Sequence, residues 1–139
     1  MPSIHKEISL PTAADAVWDV VRDLGAIHTR FAPGFVTHTM MEPEAEEVAR
    51  IVTFANGFVA REVIVDVDGA ARRLAYSVRS ERISHHNASF QVFPEGVGSR
   101  LVWIADVLPA AAAITVGSMM EDGLRCAGAT LSALATKPA

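Results

Sequence analysis

Residues 61–78 read REVIVDVDGAARRLAYSV. An acid is followed by alternating apolar residues, a turn, and a return in which Leu74, Tyr76 and Val78 share one parity. Period-two alternation on both sides of a short connection describes two antiparallel strands with unlike faces. Asp68-Gly69 marks the turn between them. What decides the function is whether this hairpin walls a solid core or a container.

The same pattern extends in both directions. SIHKEISL (3–10) alternates, with Ile4, Lys6, Ile8 and Leu10 on one parity. FVTHTMM (35–41) and EVARIVTFA (47–55) read as strands, separated by the acidic, proline-bearing and solvated loop EPEAEE. Asn56-Gly57 is a hairpin signal leading into FVAREVIVDV (58–67). RRLAYSVRS (72–80), ISHHNASFQVF (83–93) and RLVWIADVL (100–108) complete the series. Between the first two strands, Ala16, Val17, Val20, Val21 and Leu24 recur at helical spacing. The pattern predicts a helix over 12–23, with Thr12 as cap, Asp15 three residues on, and Gly25 after its end. AIHTRF predicts a second short helical turn before Pro33 and Gly34.

From Pro109 the period changes. Ala113, Val116, Met120, Leu124, Ala127, Leu131 and Leu134 are spaced 3, 4, 4, 3, 4 and 3 residues apart. That is one apolar stripe along a helix of roughly seven turns. TKPA is left as a short tail. Strands joined by short turns are antiparallel, and a long amphipathic helix must cover one face of their sheet. The expected class is α+β: a curved antiparallel sheet of about seven strands, two short helices after strand 1, and a long C-terminal helix across the concave face. Residues 1–139 are expected to form one domain.

Composition narrows the function classes. With 12 basic and 16 acidic residues, the net charge is -4 and there is no basic stripe. Nucleic acid is therefore not an expected partner. One cysteine, Cys126, allows no internal disulfide. The most apolar run, VLPAAAAITVGSMM (107–120), is broken by Pro109 and falls short of the roughly 20 residues needed to span a bilayer. No membrane span and a cytoplasmic location are expected. No HExxH, HxxxH or CxxC spacing suggests a metal, and no glycine-rich phosphate loop or GxSxG suggests a cofactor or nucleophile. Neither a metal nor a cofactor is expected.

The order of elements, with AADAVWDVVRDLGAIHTRFAPG, GFVAREVIVDVDGAARRLAYSV and NASFQVFPEGVGSRLVWIADVLP, resembles the START-like (SRPBCC, helix-grip) superfamily. It is most similar to the small bacterial polyketide cyclase/dehydrase and lipid-transport group. Members often carry a Trp-His-Pro type segment after the first helix, where this chain has HTRFAPG. The resemblance implies a cavity between sheet and long helix that takes a hydrophobic small molecule. It implies no particular reaction.

Two readings of the helix–sheet contact stand side by side. The helix is rich in small residues, including Gly117, Gly123 and Gly128. Small residues leave volume for a ligand, or they let backbones approach closely. Phe31, Phe35, Phe54, Tyr76, Phe90, Trp103, Met119 and Met120 are the candidate apolar ligand contacts. Glu62 is the candidate polar one, with His28 and His38 beside it. If Glu62 faces the concave side it needs a partner, because an unpaired buried charge is very costly. Arg50, His38 and Arg61 are candidates by composition; alternatively Glu62 faces solvent and pairs across the hairpin with Arg79. His85 and His86 are adjacent in a strand and point to opposite faces.

Three functions follow. The first is binding of a hydrophobic or aromatic small molecule. The second is a cyclase or dehydratase using Glu62 with His38 or His28 as acid and base. The third is a homodimeric interaction module with a vestigial cavity.

Overall fold

The computed structural model describes residues 2–43 and 46–135. The TKPA tail and positions 44 and 45 of the acidic loop lie outside the described residues. The strands are β1 (Ser3–Leu10), β2 (Val36–Met41), β3 (Ala49–Phe54), β4 (Val59–Asp68), β5 (Arg73–Arg79), β6 (His85–Glu95) and β7 (Gly98–Leu108). The helices are α1 (Ala14–Val21) and α2 (Ala112–Leu134), with a π-helical turn over Ile27–Phe31. All seven strands form one curved antiparallel sheet in the order β1-β7-β6-β5-β4-β3-β2. This is the helix-grip arrangement the sequence leads one to expect. At 23 residues, α2 is about 35 Å long.

Local chemistry explains the register. The β3–β4 hairpin turns through Ala55-Asn56-Gly57, closed by the Gly57 N–H on the Phe54 carbonyl at 2.9 Å. Gly57 sits at φ +89°, left-handed backbone that glycine adopts without steric cost. Three loop residues rather than two put Val52 opposite Ala60 and Arg50 opposite Glu62. One residue fewer would send those two charges to opposite faces. A bulge between Ile64 and Asp66 adds bend where the sheet curls around the helix.

The core lies between the concave face and the helices. Leu74 and Tyr76 of β5, Phe90 and Val92 of β6, and Leu101 and Ala105 of β7 are all buried. Met120, Leu124, Ala127 and Leu131 form the buried stripe of α2. Val17, Trp18, Val20 and Val21 of α1 close the same cluster.

The start of α1 departs from expectation. Ala13 is the N-cap, and no side chain caps the helix. Thr12 is buried and spends its hydroxyl on the Leu131 carbonyl of α2, at 2.6 Å. A tertiary bond between the two helices outcompetes the local cap. Asp15 instead accepts from Arg72 at 2.8 Å. No helix among the described residues is long and apolar enough to cross a membrane.

Candidate functional site

The helix does not lie flush on the sheet. A cavity remains between the N-terminal half of α2, the π-helical turn and strands β3 to β7. Its volume is about 100 Å³, where a single water needs roughly 10–15 Å³. Val116, Met119, Met120 and Gly123 form its roof. Its walls come from Val20 and Val21 of α1, Ile27 and Phe31 of the π-helical turn, and Phe35. Its floor is the strand row Val52, Leu74, Tyr76, Phe90 and Trp103, with Arg50 and Glu62. Phe35, Phe54, Val116, Met119 and Asp23 also line it and are half-buried, so the solvent-facing side lies there.

Small residues explain the gap on one side and rigid rings on the other. A Cβ on Gly123 would fall 2.9 Å from a Phe35 ring carbon and 3.0 Å from a Trp103 ring carbon. Glycine therefore lets two aromatic rings stand between helix and sheet. Phe90 stacks on Trp103 with centroids 4.5 Å apart and takes the edge of Phe31 at 5.2 Å. Phe35 meets Phe54 edge-on at 5.3 Å. Such pairs hold their geometry by about 0.5–1.5 kcal/mol beyond area burial.

Within this apolar lining sits one buried ion pair. Glu62 is on the concave face, with 9 % of its side chain exposed against 4 % for Arg50. The Arg50 Nε donates to Glu62 Oε1 at 2.9 Å, and Nη2 lies 2.9 Å from the same oxygen. Arg50 Nη1 donates to the Leu24 carbonyl at 3.1 Å, tying the pair to the segment that follows α1. The guanidinium also lies over the Tyr76 ring, 5.8 Å from its centroid. Arg61 pairs instead with Glu42 through two bonds of 2.9 and 3.0 Å. A solvent-facing Glu62 paired with Arg79 is therefore ruled out. Register carries Glu62 inward opposite Arg50 and Val78.

Tyr76 supplies a third polar group. Its hydroxyl oxygen accepts a hydrogen bond from Trp103 Nε1 at 3.0 Å. Burial, reinforced by the negative charge of Glu62, pushes its pKa well above the ordinary tyrosine value. The phenol stays protonated and holds an O–H to donate.

Of the sequence candidates, Phe31, Phe35, Phe54, Glu62, Tyr76, Phe90, Trp103, Met119 and Met120 all line this one cavity. His28 and His38 do not. The bulge between Val36 and His38 turns the His38 side chain outward, and it is exposed. His28 packs beside it, ring centroids 5.8 Å apart, behind the cavity wall. Residues that the sequence reading did not single out as lining include Asp23, Ile27 and Val52, while Gly123 was named there among the small residues that could leave volume. Arg50, considered only as a partner for Glu62, also lines the floor. The Asn56-Gly57 pair alone reads as a two-residue turn; the three-residue loop shifts the register by one and brings Arg50 to the floor opposite Glu62. Among the described residues, no group of three or more His, Cys, Asp or Glu side chains could hold a metal ion.

A cavity between a curved seven-stranded sheet and a long terminal helix defines the helix-grip class. The chain belongs to the polyketide cyclase / dehydrase and lipid transport family, whose model matches residues 1–135. Its structure is similar to that of a protein from Nitrosospira multiformis, at 14 % identity and TM-score 0.81, covering 98 % of this chain and 100 % of that one. A protein from Thermobifida fusca is similar at 24 % identity and TM-score 0.75, over 97 % and 93 % of the two chains. Norcoclaurine synthase from Thalictrum flavum, in complex with dopamine and hydroxybenzaldehyde, aligns at 20 % identity and TM-score 0.71, over 99 % and 88 %. These likenesses establish the fold. No curated protein matches the sequence.

Proposed function

We propose that this protein binds a hydrophobic or aromatic small molecule in the cavity between the sheet and α2. The observation that carries the reading is an aromatic-walled gap of about 100 Å³ with a small set of convergent polar groups at its floor. Ligand sites generally have this composition: mostly apolar lining and a few placed polar atoms. The family's description, which includes lipid transport, supports it. So does the capacity of the same fold in norcoclaurine synthase to hold two aromatic molecules.

A cyclase or dehydratase is the second reading, favoured by Glu62 and Tyr76 lining one cavity. Such a reaction needs a free base and a donor at one substrate position. Glu62 is already engaged by Arg50, and both histidines lie outside, so binding is the better-supported function. Native mass spectrometry of protein purified from its source tests the proposal. A co-purified adduct of small-molecule mass is expected. The reading fails if no adduct appears and no aromatic probe binds the emptied protein at millimolar concentration.

A further inference from the structure

We propose that the cavity selects an uncharged ring compound carrying one hydroxyl, a phenol or aryl alcohol, and rejects carboxylates. This inference rests on the binding reading above and specifies what is bound.

The argument is a count of unspent hydrogen-bonding capacity at the floor. Glu62 Oε1 receives both contacts from Arg50. Its second oxygen accepts nothing from the protein among the described residues and remains an acceptor. Arg50 has committed Nε and Nη2 to Glu62 and Nη1 to the Leu24 carbonyl. That uses three of its five N–H groups; the other two stand beside the Glu62 charge and give an incoming anion no net positive field. The Tyr76 oxygen accepts from Trp103, while its own proton has no protein acceptor. Beside those two N–H groups, the floor presents one free acceptor, Glu62 Oε2, and one uncharged donor, the Tyr76 O–H.

Position brings the two together. Glu62 pairs with Val78, and Tyr76 with Ile64, on adjacent strands. Glu62 and Tyr76 are thus diagonal neighbours on one face, a relation spanning about 7–8 Å and within reach of long side chains. No direct hydrogen bond joins them. The field of Glu62 nevertheless registers on the Tyr76 phenol. A single guest hydroxyl satisfies both at once: its oxygen accepts from Tyr76 and its hydrogen goes to Glu62. A carboxylate brings two acceptors and no donor, and it meets the Glu62 charge. The pair Arg50–Glu62 is neutral in sum, so no net positive charge compensates. A plain hydrocarbon leaves both protein groups unpaired, the situation that gives hydroxyl-reading sites their large discrimination. Around this anchor, the Phe90 and Trp103 rings supply the apolar contact for the guest's own ring.

The test uses the full chain at neutral pH with three probes of one shape: 4-propylphenol, 4-propylbenzoate and propylbenzene. Dissociation constants are read by ligand-observed NMR titration. The phenol is expected to bind at least tenfold more tightly than either analogue. In Tyr76→Phe, which removes the O–H and the acceptor of the Trp103 Nε1–H, the phenol should lose about tenfold while propylbenzene binds no more weakly than to the parent. Equal affinity for all three probes, or preference for the benzoate, overturns this inference and leaves the container reading standing. A Tyr76→Phe variant that folds and binds the phenol unchanged also overturns it. Failure of all three probes to bind overturns the container reading itself.

Discussion

The two halves of α2 meet the sheet differently. At the C-terminal half the contact is sealed. Leu131 is fully buried, its carbonyl takes the Thr12 hydroxyl, and the Thr12 carbonyl takes the Ser99 hydroxyl at 2.7 Å. A Cβ on Gly128 would come within 2.5 Å of Ile8 Cδ1, so glycine here brings the helix down onto β1. At the N-terminal half, Gly123 faces the rings of Phe35 and Trp103, and Val116, Met119 and Met120 face a void. One residue type therefore serves opposite ends. Against a slim aliphatic chain it closes the contact. Against rigid rings it makes room for spacers, and spacers hold the helix off the sheet. The glycine count alone does not distinguish a seal from a cavity; the residue across from each glycine does.

The sharpest way to break this contrast is to ask whether the open end is dry. Arg50 and Glu62 are buried there with each other as partners. Arg50→Met leaves a buried carboxylate without its cation, which costs about 3–5 kcal/mol. Urea denaturation should show this as a large fall in midpoint. A loss below about 1 kcal/mol would mean that Glu62 reaches water through the cavity and that the open end is wet.

The next effect compares the halves directly. Leu131→Ala removes a fully buried side chain from packed surroundings and should cost about 2–5 kcal/mol. Met119→Ala, half-buried and already facing a void, should cost about 1 kcal/mol or less. Equal costs, measured by the same unfolding assay, would erase the distinction between sealed and open ends.

The glycines give a smaller stability effect and a clear functional one. Gly128→Ala gains about 1 kcal/mol of helix propensity and spends it on moving the flexible tip of Ile8. Its unfolding midpoint should stay near the parent's, with 4-propylphenol affinity unchanged. Gly123→Ala must push on two rings that frame the cavity. It should lower that affinity about tenfold at similar stability. Identical binding by both variants would show that Phe35 and Trp103 do not set the gap.

Much of this was legible in the sequence, and the exceptions have physical causes. Alternation in β5, β6 and β7 placed Tyr76, Phe90 and Trp103 on one face because strand parity depends on neighbours along the chain alone. The stripe on α2 was legible for the same reason. The fate of Glu62 was not, because its face depends on whether the hairpin loop holds two residues or three. His38 was misplaced by a bulge, an extra residue that no periodicity announces. Thr12 was misassigned because its hydroxyl chose a carbonyl 119 positions away over the local amide. Loop length, bulges and long-range polar pairing are the three places where local pattern yields to tertiary contact.

The smallest expected effect concerns acid. Among the described residues, the buried polar groups of the sealed half are Thr12 and Ser99, neither of which titrates near neutrality. The open half has His86, whose ring lies 6.3 Å from that of Tyr76 and whose Nδ1 is buried with no partner. Burial, ahead of the charge on His85, holds its pKa below the ordinary histidine value. The folded chain thus resists the proton that the unfolded chain accepts at a pKa of about 6.5. Above that value both states carry neutral His86, and it costs nothing. As pH falls below it, the unfolded state binds more protons and stability declines until the folded-state pKa is passed. His86→Asn should therefore flatten the fall in unfolding free energy between pH 7 and pH 5. If His86→Asn keeps the parent's slope, acid sensitivity does not reside in the open half, and the two ends of α2 differ in packing alone.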